Sequence, residues 1–300
     1  CLLPPPCPVT NIRHCFSLLF RQRCTREFDA EAEMIVFHTD LDNTLIYSYR
    51  HDIGRDRRCV EVYQGREISF VTQETHRLLQ KLSERKEQVL IVPTTTRTAE
   101  QYARINLGAG SFRYALVCNG GVLLTREVVN GTAVCREEES WYRTSLELVR
   151  DSVGELHRAL ALLERDPRRT FELRFIRDLF VFTKCEKPEA VVRDLRNKLN
   201  ADAVDVFNNG VKVYIVPRVL SKGNAVVRFR EYIGAGYVIA AGDSEFDIPM
   251  LEVADLGIAP PDLAQRHHFS ERVRSCTAER HYAEAVLSAV LEAVQKTVRK

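Results

Sequence analysis

Asp40 and Asp42 stand one residue apart in "HTDLDNTLIYS" (38–48), directly behind the short apolar run "MIVF" (34–37). Paired carboxylates at a strand tip offer an oxygen nucleophile, an acid–base group and hard oxygen ligands for a divalent cation. The plain alternative is a solvated turn. Three further stretches carry chemistry of the same kind. "VLIVPTTTR" (89–97) ends in Thr94, Thr95, Thr96 and Arg97, whose hydroxyls suit phosphate oxygens or, equally, the cap of a helix over 98–105. Lys222, in "SKGNAV", opens a helix and is either a neutraliser of carboxylate or phosphate charge or a solvated cation. "YVIAAGDSEFD" (237–247) runs into Gly242, Asp243 and, four residues on, Asp247. Taken singly, each has an ordinary explanation. Together, in this order, they all follow expected strands or open the adjoining helix.

The elements that must position them are legible as patterns. Four apolar runs, at 34–37, 89–92, 115–118 and 238–241, are continuous rather than alternating, as strands buried on both faces of a parallel sheet require. Helical stretches separate or follow them: 72–85 carries Leu78, Leu79 and Leu82 on one face, 222–232 precedes the fourth run, and Leu287, Leu291, Val294 and Val298 mark a C-terminal helix. Strand and helix alternating predict an α/β fold with a doubly wound parallel sheet, in which ligands gather at the carboxyl ends of strands.

Between 125 and 217 the pattern changes. Leu146, Val149, Val153, Leu156, Leu160 and Leu163 predict one long amphipathic helix. "TFELRF" and "LFVFTK" read as strands joined through Arg177-Asp178, 188–199 as a helix, and "VDVFNNGVKVYIV" as a hairpin around Asn209-Gly210. A further hairpin is expected in "CVEVYQGREISFV" (59–71), turning at Gln64-Gly65. The expected organisation is therefore a core of 34–124 and 218–300 interrupted by an α+β cap over 125–217. Residues 1–26 hold four arginines, four cysteines and four prolines but no acid, so 1–33 are expected to be an unstructured extension before Met34.

Bulk properties exclude several functions. Apolar residues make up 45% and charged residues 28% of 300, enough for a sizeable core. A net charge of +2, with no basic patch interleaved with aromatics, argues against a nucleic-acid partner. No stretch reaches the eighteen apolar residues of a membrane span. The nine cysteines contain no C-x-x-C pair, which predicts reduced structural thiols in a cytoplasmic protein. The sequence leaves oligomeric state open.

Asp40-x-Asp42-x-Thr44, Thr95, Lys222 and Gly242-Asp243-Ser244-x-x-Asp247 resemble motifs I to IV of the haloacid dehalogenase superfamily. Their order, and the insert between the second and third, are similar to its C2-capped Cof-like and sugar-phosphate phosphatases. "VCNGGVLL" (117–124) resembles that subgroup's segment before the cap, and the likeness runs from Met34 to about Val298. Two departures stand out. Asn43 replaces a glycine, and Thr94-Thr95-Thr96-Arg97 replaces T-G-R, so Thr94 remains an alternative to Thr95.

The resemblance implies a Mg²⁺-dependent phosphatase acting on a small phosphorylated metabolite through an aspartyl-phosphate. It assigns Asp40 as nucleophile and Asp42 as acid and base. Mg²⁺ falls to Asp40, the Asp42 backbone carbonyl, Asp243 and Asp247, and the phosphoryl oxygens to Thr95 or Thr94, Asn43 and Lys222. On the cap, Arg174, Arg177, Asn208, Asn209 and Lys212 are candidates for choosing the leaving group, although Asn209 also suits a turn and the arginines a solvent face. A phosphomannomutase-type phosphomutase and a regulatory module without turnover are the competing readings.

Overall fold

The structure, a computed structural model, describes residues 34–108, 112–129, 132–276 and 281–297. The expected extension over 1–33 and Val298 lie outside these residues. Five strands form one parallel sheet in the order Val273–Ser275, Leu256–Ala259, Tyr237–Ala241, Ile35–Thr39, Val89–Pro93. Every residue of the Ile35–Thr39 strand is buried, because both faces of the sheet are covered. Successive side chains point to opposite faces. Phe37 and Ile239 therefore pack with Leu79, Leu82, Leu287 and Val294, from the Gln73–Ser83 and Tyr282–Thr297 helices. Val36 and Val238 pack with Val226, Phe229 and Leu251, from the Lys222–Ile233 and Ile248–Val253 helices. The chain leaves Ile35–Thr39 first towards Val89–Pro93 and later occupies its other side with Tyr237–Ala241. That reversal of strand order opens a crevice at the carboxyl end of the central strand.

The run at 115–118 does not join the parallel ladder. Tyr114–Val117 pairs antiparallel with Val122–Val129, which pairs in turn with Thr132–Glu137. It meets the edge of the parallel sheet through a parallel bridge between Thr94 and Leu116, the Thr95 N–H donated to Leu116 O at 2.8 Å and the Cys118 N–H donated to Arg97 O at 2.8 Å. An unbroken apolar run reports burial on both faces and says nothing about strand direction. Direction is decided at the turn, where Cys118, Asn119 and Gly120 lie at φ +53°, +58° and +85° and send the chain straight back. Asn119 Nδ2 then donates to Leu220 O at 2.6 Å, across the point where the chain later returns.

A second sheet is antiparallel, ordered Val204–Asn209, Lys212–Pro217, Phe180–Lys184, Arg174–Ile176. One face packs on the Val153–Glu164 and Pro188–Arg196 helices through Leu156, Leu163, Val191, Leu195, Val213 and Ile215. Arg177 and Asp178, both at positive φ, make the turn expected of them. The next hairpin turns at Gly210-Val211 rather than Asn209-Gly210, because Asn209 still pairs with Lys212. The hairpin Arg57–Tyr63 with Arg66–Thr72 does turn at Gln64-Gly65.

The single long helix expected after residue 138 is two helices, Glu139–Val149 and Val153–Glu164, separated by the 3-10 turn Arg150–Ser152. The helix changes partners there. Trp141 packs with the parallel sheet's cluster and Val149 with the Val117–Val122 cluster, whereas Leu156 and Leu163 belong to the antiparallel sheet. The architecture is thus α/β around a parallel sheet, with an added antiparallel sheet of the cap type. Among the described residues no helix is long and apolar enough to cross a membrane.

Candidate functional site

The central strand continues its ladder one residue past Thr39, Asp40 N donating to Ala241 O at 2.9 Å. The chain then curls. The N–H groups of Leu45 and Ile46 both reach Leu41 O, at 2.9 and 2.8 Å, and Asn43 lies at φ +61°. Its short polar side chain tolerates this left-handed position, which is how it can replace a glycine there. The Asn43 N–H is committed to Ile46 O at 2.8 Å.

The neighbouring strand ends in Gly242 for a different reason. A Cβ there would lie 2.2 Å from Asp247 Cβ, so only glycine lets Asp247 fold back over the strand tip. Asp247 Oδ2 accepts from the N–H of Asp243 at 3.1 Å, the N–H of Ser244 at 3.0 Å and Ser244 Oγ at 2.8 Å. Its other oxygen faces Lys222. The Lys222 ammonium, 1% exposed, donates to Asp40 Oδ1 at 2.7 Å and Asp247 Oδ1 at 2.5 Å. Thr44 Oγ1 donates to Asp243 Oδ1 at 3.1 Å. One carboxylate oxygen from each of Asp40, Asp243 and Asp247 lies within 4.8 Å of the others. Gly242→Ala is expected to push Asp247 off these donors, costing about 1–3 kcal/mol in urea unfolding and lowering divalent-cation affinity with it.

Electrostatically the cluster lacks positive charge. Burial pushes Asp40 up to about 7, with the Asp247 and Asp42 charges adding and Lys222 opposing. Burial pushes Asp243 up to about 8, with Asp247 and Asp40 adding and Lys222 and Thr44 opposing. Three carboxylates share one ammonium. A donor set made of carboxylate oxygens, without thiol or imidazole, fits a hard cation such as Mg²⁺.

Asp42 stands apart from this cluster. Arg97 clasps it with two bonds, Nε to Oδ2 at 2.8 Å and Nη2 to Oδ1 at 2.7 Å. Burial pushes the Asp42 carboxyl up, but the Arg97 bonds and charge, aided by Lys212 and Lys222, hold it below its ordinary value. Arg97 in turn reaches the fully buried Glu61 at 2.9 Å, which also accepts from Arg104 at 3.0 Å and Ser69 at 2.7 Å. Arg97 and Glu61 were not among the residues singled out from sequence. The T-x-R run was visible, but the alternation of the hairpin places Glu61 with exposed Tyr63, and only a bulge beside Cys59 turns it inward.

The two threonines are separated by their partners. Thr94 Oγ1 donates to Val92 O at 3.2 Å and meets His38 Nδ1 at 2.9 Å, so its hydroxyl is held within the core. Burial lowers His38 to about 3, leaving a neutral ring beneath the site. Thr95 Oγ1 instead accepts the Arg97 N–H at 3.2 Å, on the Asp42 side.

The five candidates on the antiparallel sheet also divide. Arg174 and Lys212 line a cavity of about 470 Å³ together with Asp42, Arg97, Phe182 and Tyr214. Arg177 does not; it grips Glu137 through two 2.8 Å bonds and lies over the Tyr142 ring. Asn208 Nδ2 donates within its own turn to Gly210 O at 3.3 Å, and Asn209 serves the ladder opposite Lys212.

A family model described as haloacid dehalogenase-like hydrolase matches residues 132–260. A phosphoglycolate phosphatase from Methanopyrus kandleri is 28% identical over 196 residues, covering 63% of this chain and 76% of its own length. Among solved structures, the sucrose-phosphatase of Synechocystis, in complex with sucrose and phosphate, matches with a TM-score of 0.59 at 16% identity, over 89% of this chain and 99% of that one. A haloacid dehalogenase-like hydrolase protein from Bacillus subtilis matches with a TM-score of 0.51 at 14% identity, over 88% and 92%. At these identities the structural likeness speaks to the fold alone.

Proposed function

We propose that the chain is a haloacid dehalogenase-like phosphatase, Mg²⁺-dependent, that hydrolyses a small phosphorylated metabolite through an aspartyl-phosphate; the family model over 132–260 and the phosphoglycolate phosphatase among its relatives support this. The observation that carries this reading is the meeting of Asp40, Asp243, Asp247 and Lys222 at the carboxyl end of the central strands. A phosphoglycolate phosphatase among the relatives and a sucrose-phosphatase among the structural neighbours support a small substrate.

Phosphate monoesters hydrolyse extremely slowly unaided, so a site must align a nucleophile and neutralise charge. In this reading Asp40 attacks phosphorus, and the leaving-group oxygen departs with a proton from Asp42. Asp42 then removes a proton from the water that cleaves the acyl phosphate. The Arg97 clasp favours the ionised, basic form of Asp42 that the second step needs. For the first step Asp42 must carry a proton, left from the water of the preceding turnover or taken from solvent, and the protonated oxygen gives up its Arg97 bond to face the leaving group. Lys222 fixes the Asp40 carboxylate and offsets its crowding, and Thr95 offers a hydroxyl to a phosphoryl oxygen. Asp40 and Asp243, with the Asp42 backbone carbonyl and Asp247 contributing, would hold Mg²⁺, which neutralises charge between a carboxylate and a phosphate dianion.

We take 34–124 and 218–300 as the catalytic core and 125–217 as the cap, with Arg174 and Lys212 the cap side chains nearest the leaving group. The expected boundary after 124 falls inside the Val122–Val129 strand. The cytoplasmic setting expected from the cysteine spacing is kept as part of this proposal.

Release of phosphate from p-nitrophenyl phosphate with Mg²⁺ tests turnover, and its absence would leave a regulatory module. Hexose 1-phosphate, followed for free phosphate against isomer, separates phosphatase from phosphomutase. Cation binding is itself proton-linked. A divalent ion favours the ionised forms of Asp40 and Asp243, raised to about 7 and about 8, so protons compete with it below those values. Mg²⁺ affinity should therefore rise with pH up to about 8 and then level. Titration calorimetry at pH 7 in buffers of different ionisation enthalpy should show about one proton released per ion.

A further inference from the structure

Lys184 and Lys212 face each other directly across the ladder between Phe180–Lys184 and Lys212–Pro217. Opposed residues in such a ladder sit with Cβ atoms about 5 Å apart, and like charges there destabilise the sheet. Nearby arginines are neutralised: Arg174 pairs with Glu172, Arg177 with Glu137, Arg104 with Glu61 and Arg97 with Asp42 and Glu61. Among the described residues neither lysine forms an ion pair with an acid. Lys184 instead lies over the Phe171 ring at 4.4 Å, which positions the ammonium without cancelling its charge.

Both lysines line the cavity of about 470 Å³ that reaches Asp42, a volume suited to a small ligand. Alternation along the two strands places Phe182 and Tyr214, with ring centroids 5.1 Å apart, on the same face as the lysines. The cavity is lined by five cationic side chains against two carboxylates, Asp42 and Glu61, both held by Arg97. Two opposed ammonium groups lining one cavity, neither in an ion pair among the described residues, are the counterpart of an anion that arrives with the substrate.

Resting on the phosphatase reading, we propose that the substrate's leaving group carries a second anionic group, a carboxylate or a phosphate, seated between Lys184 and Lys212. The phosphoryl group being transferred lies at Asp40, and the second anion lies across the cavity on the antiparallel sheet. The site thus selects a doubly charged metabolite over a neutral alcohol's monophosphate. Selection acts through charge-assisted hydrogen bonds, each worth on the order of tenfold or more in affinity.

Matched substrate pairs with the full chain and Mg²⁺ test this. 3-Phosphoglycerate against glycerol 3-phosphate isolates a carboxylate; fructose 1,6-bisphosphate against fructose 6-phosphate isolates a second phosphate. The expected result is a preference of about a hundredfold in kcat/KM for the charged member of one pair, and that pair names the anion. In the Lys184→Gln/Lys212→Gln double variant the preference should fall to within about fivefold. Equal kcat/KM within both pairs, or a preference that the double substitution leaves intact, overturns the subsite and spares the phosphatase. Failure to hydrolyse any of these esters, or p-nitrophenyl phosphate, overturns the phosphatase reading and this inference with it.

Discussion

Asp40→Asn lowers kcat for p-nitrophenyl phosphate by at least about four orders of magnitude, while the protein remains folded and melts no lower than the wild type. An amide of the same shape cannot form the acyl phosphate, and loss of a nucleophile typically removes this much or more of the rate. Stability is maintained because the substitution also removes one of three crowded acids. Burial and the neighbouring charges of Asp247 and Asp42 already act against ionised Asp40, and Lys222 keeps its bond to Asp247. Steady-state kinetics and a thermal melt decide the matter together. Turnover near the wild-type rate would remove Asp40 from the reaction, whereas a collapsed melt would assign it to the fold instead.

Lys222→Ala has the second large effect, and here stability suffers first. Removing one partner from a buried ion pair leaves uncompensated charge and costs about 3–5 kcal/mol. For a chain of this size that corresponds to a drop of roughly 10 °C in Tm. The pH dependence follows from the acids left behind. Without Lys222, Asp40 loses the strongest influence lowering it, so the native state binds protons more readily than the unfolded state over a wider range. Stability then falls as pH rises, and the deficit against wild type should widen between about pH 6 and pH 9, because Asp40 ionises at about 7 in the wild type and higher without Lys222. Mg²⁺ should restore part of the loss, since a divalent ion also offsets charge on Asp40 and Asp247. Urea titrations at the two pH values, each with and without Mg²⁺, measure all of this. A deficit indifferent to both would mean that Lys222 is held by packing and not by its carboxylates.

Much of the arrangement could be read from the chain because strand tips are marked twice, by an unbroken apolar run and by the polar residues that end it. Asp40, Asp243 and Asp247 were found in that way, Lys222 by its place at the opening of a helix, and the structure brings them together. Contacts between elements distant in sequence were not legible. Arg97 reaching Glu61, 36 positions away, depends on a bulge that alternation cannot show. Arg177 reaching Glu137, 40 positions away, is a pairing that neither residue's neighbours in sequence announce. The antiparallel pairing of Tyr114–Val117 with Val122–Val129 was hidden because burial on both faces looks alike in parallel and antiparallel strands. The break at Arg150–Ser152 was hidden because the apolar spacing runs on unchanged while the packing partner switches.

The bond from Asn119 to the carbonyl of Leu220 bears on how the two sheets can shift against one another. It ties the carbonyl at the inbound crossing to the turn ahead of the Val122–Val129 strand, so that end of the connection is held to the parallel layer, while the outbound change of partner lies at Arg150–Ser152. Rocking of the antiparallel layer would then carry Lys184 and Lys212 towards or away from Asp42 as a rigid face, keeping their spacing to each other constant.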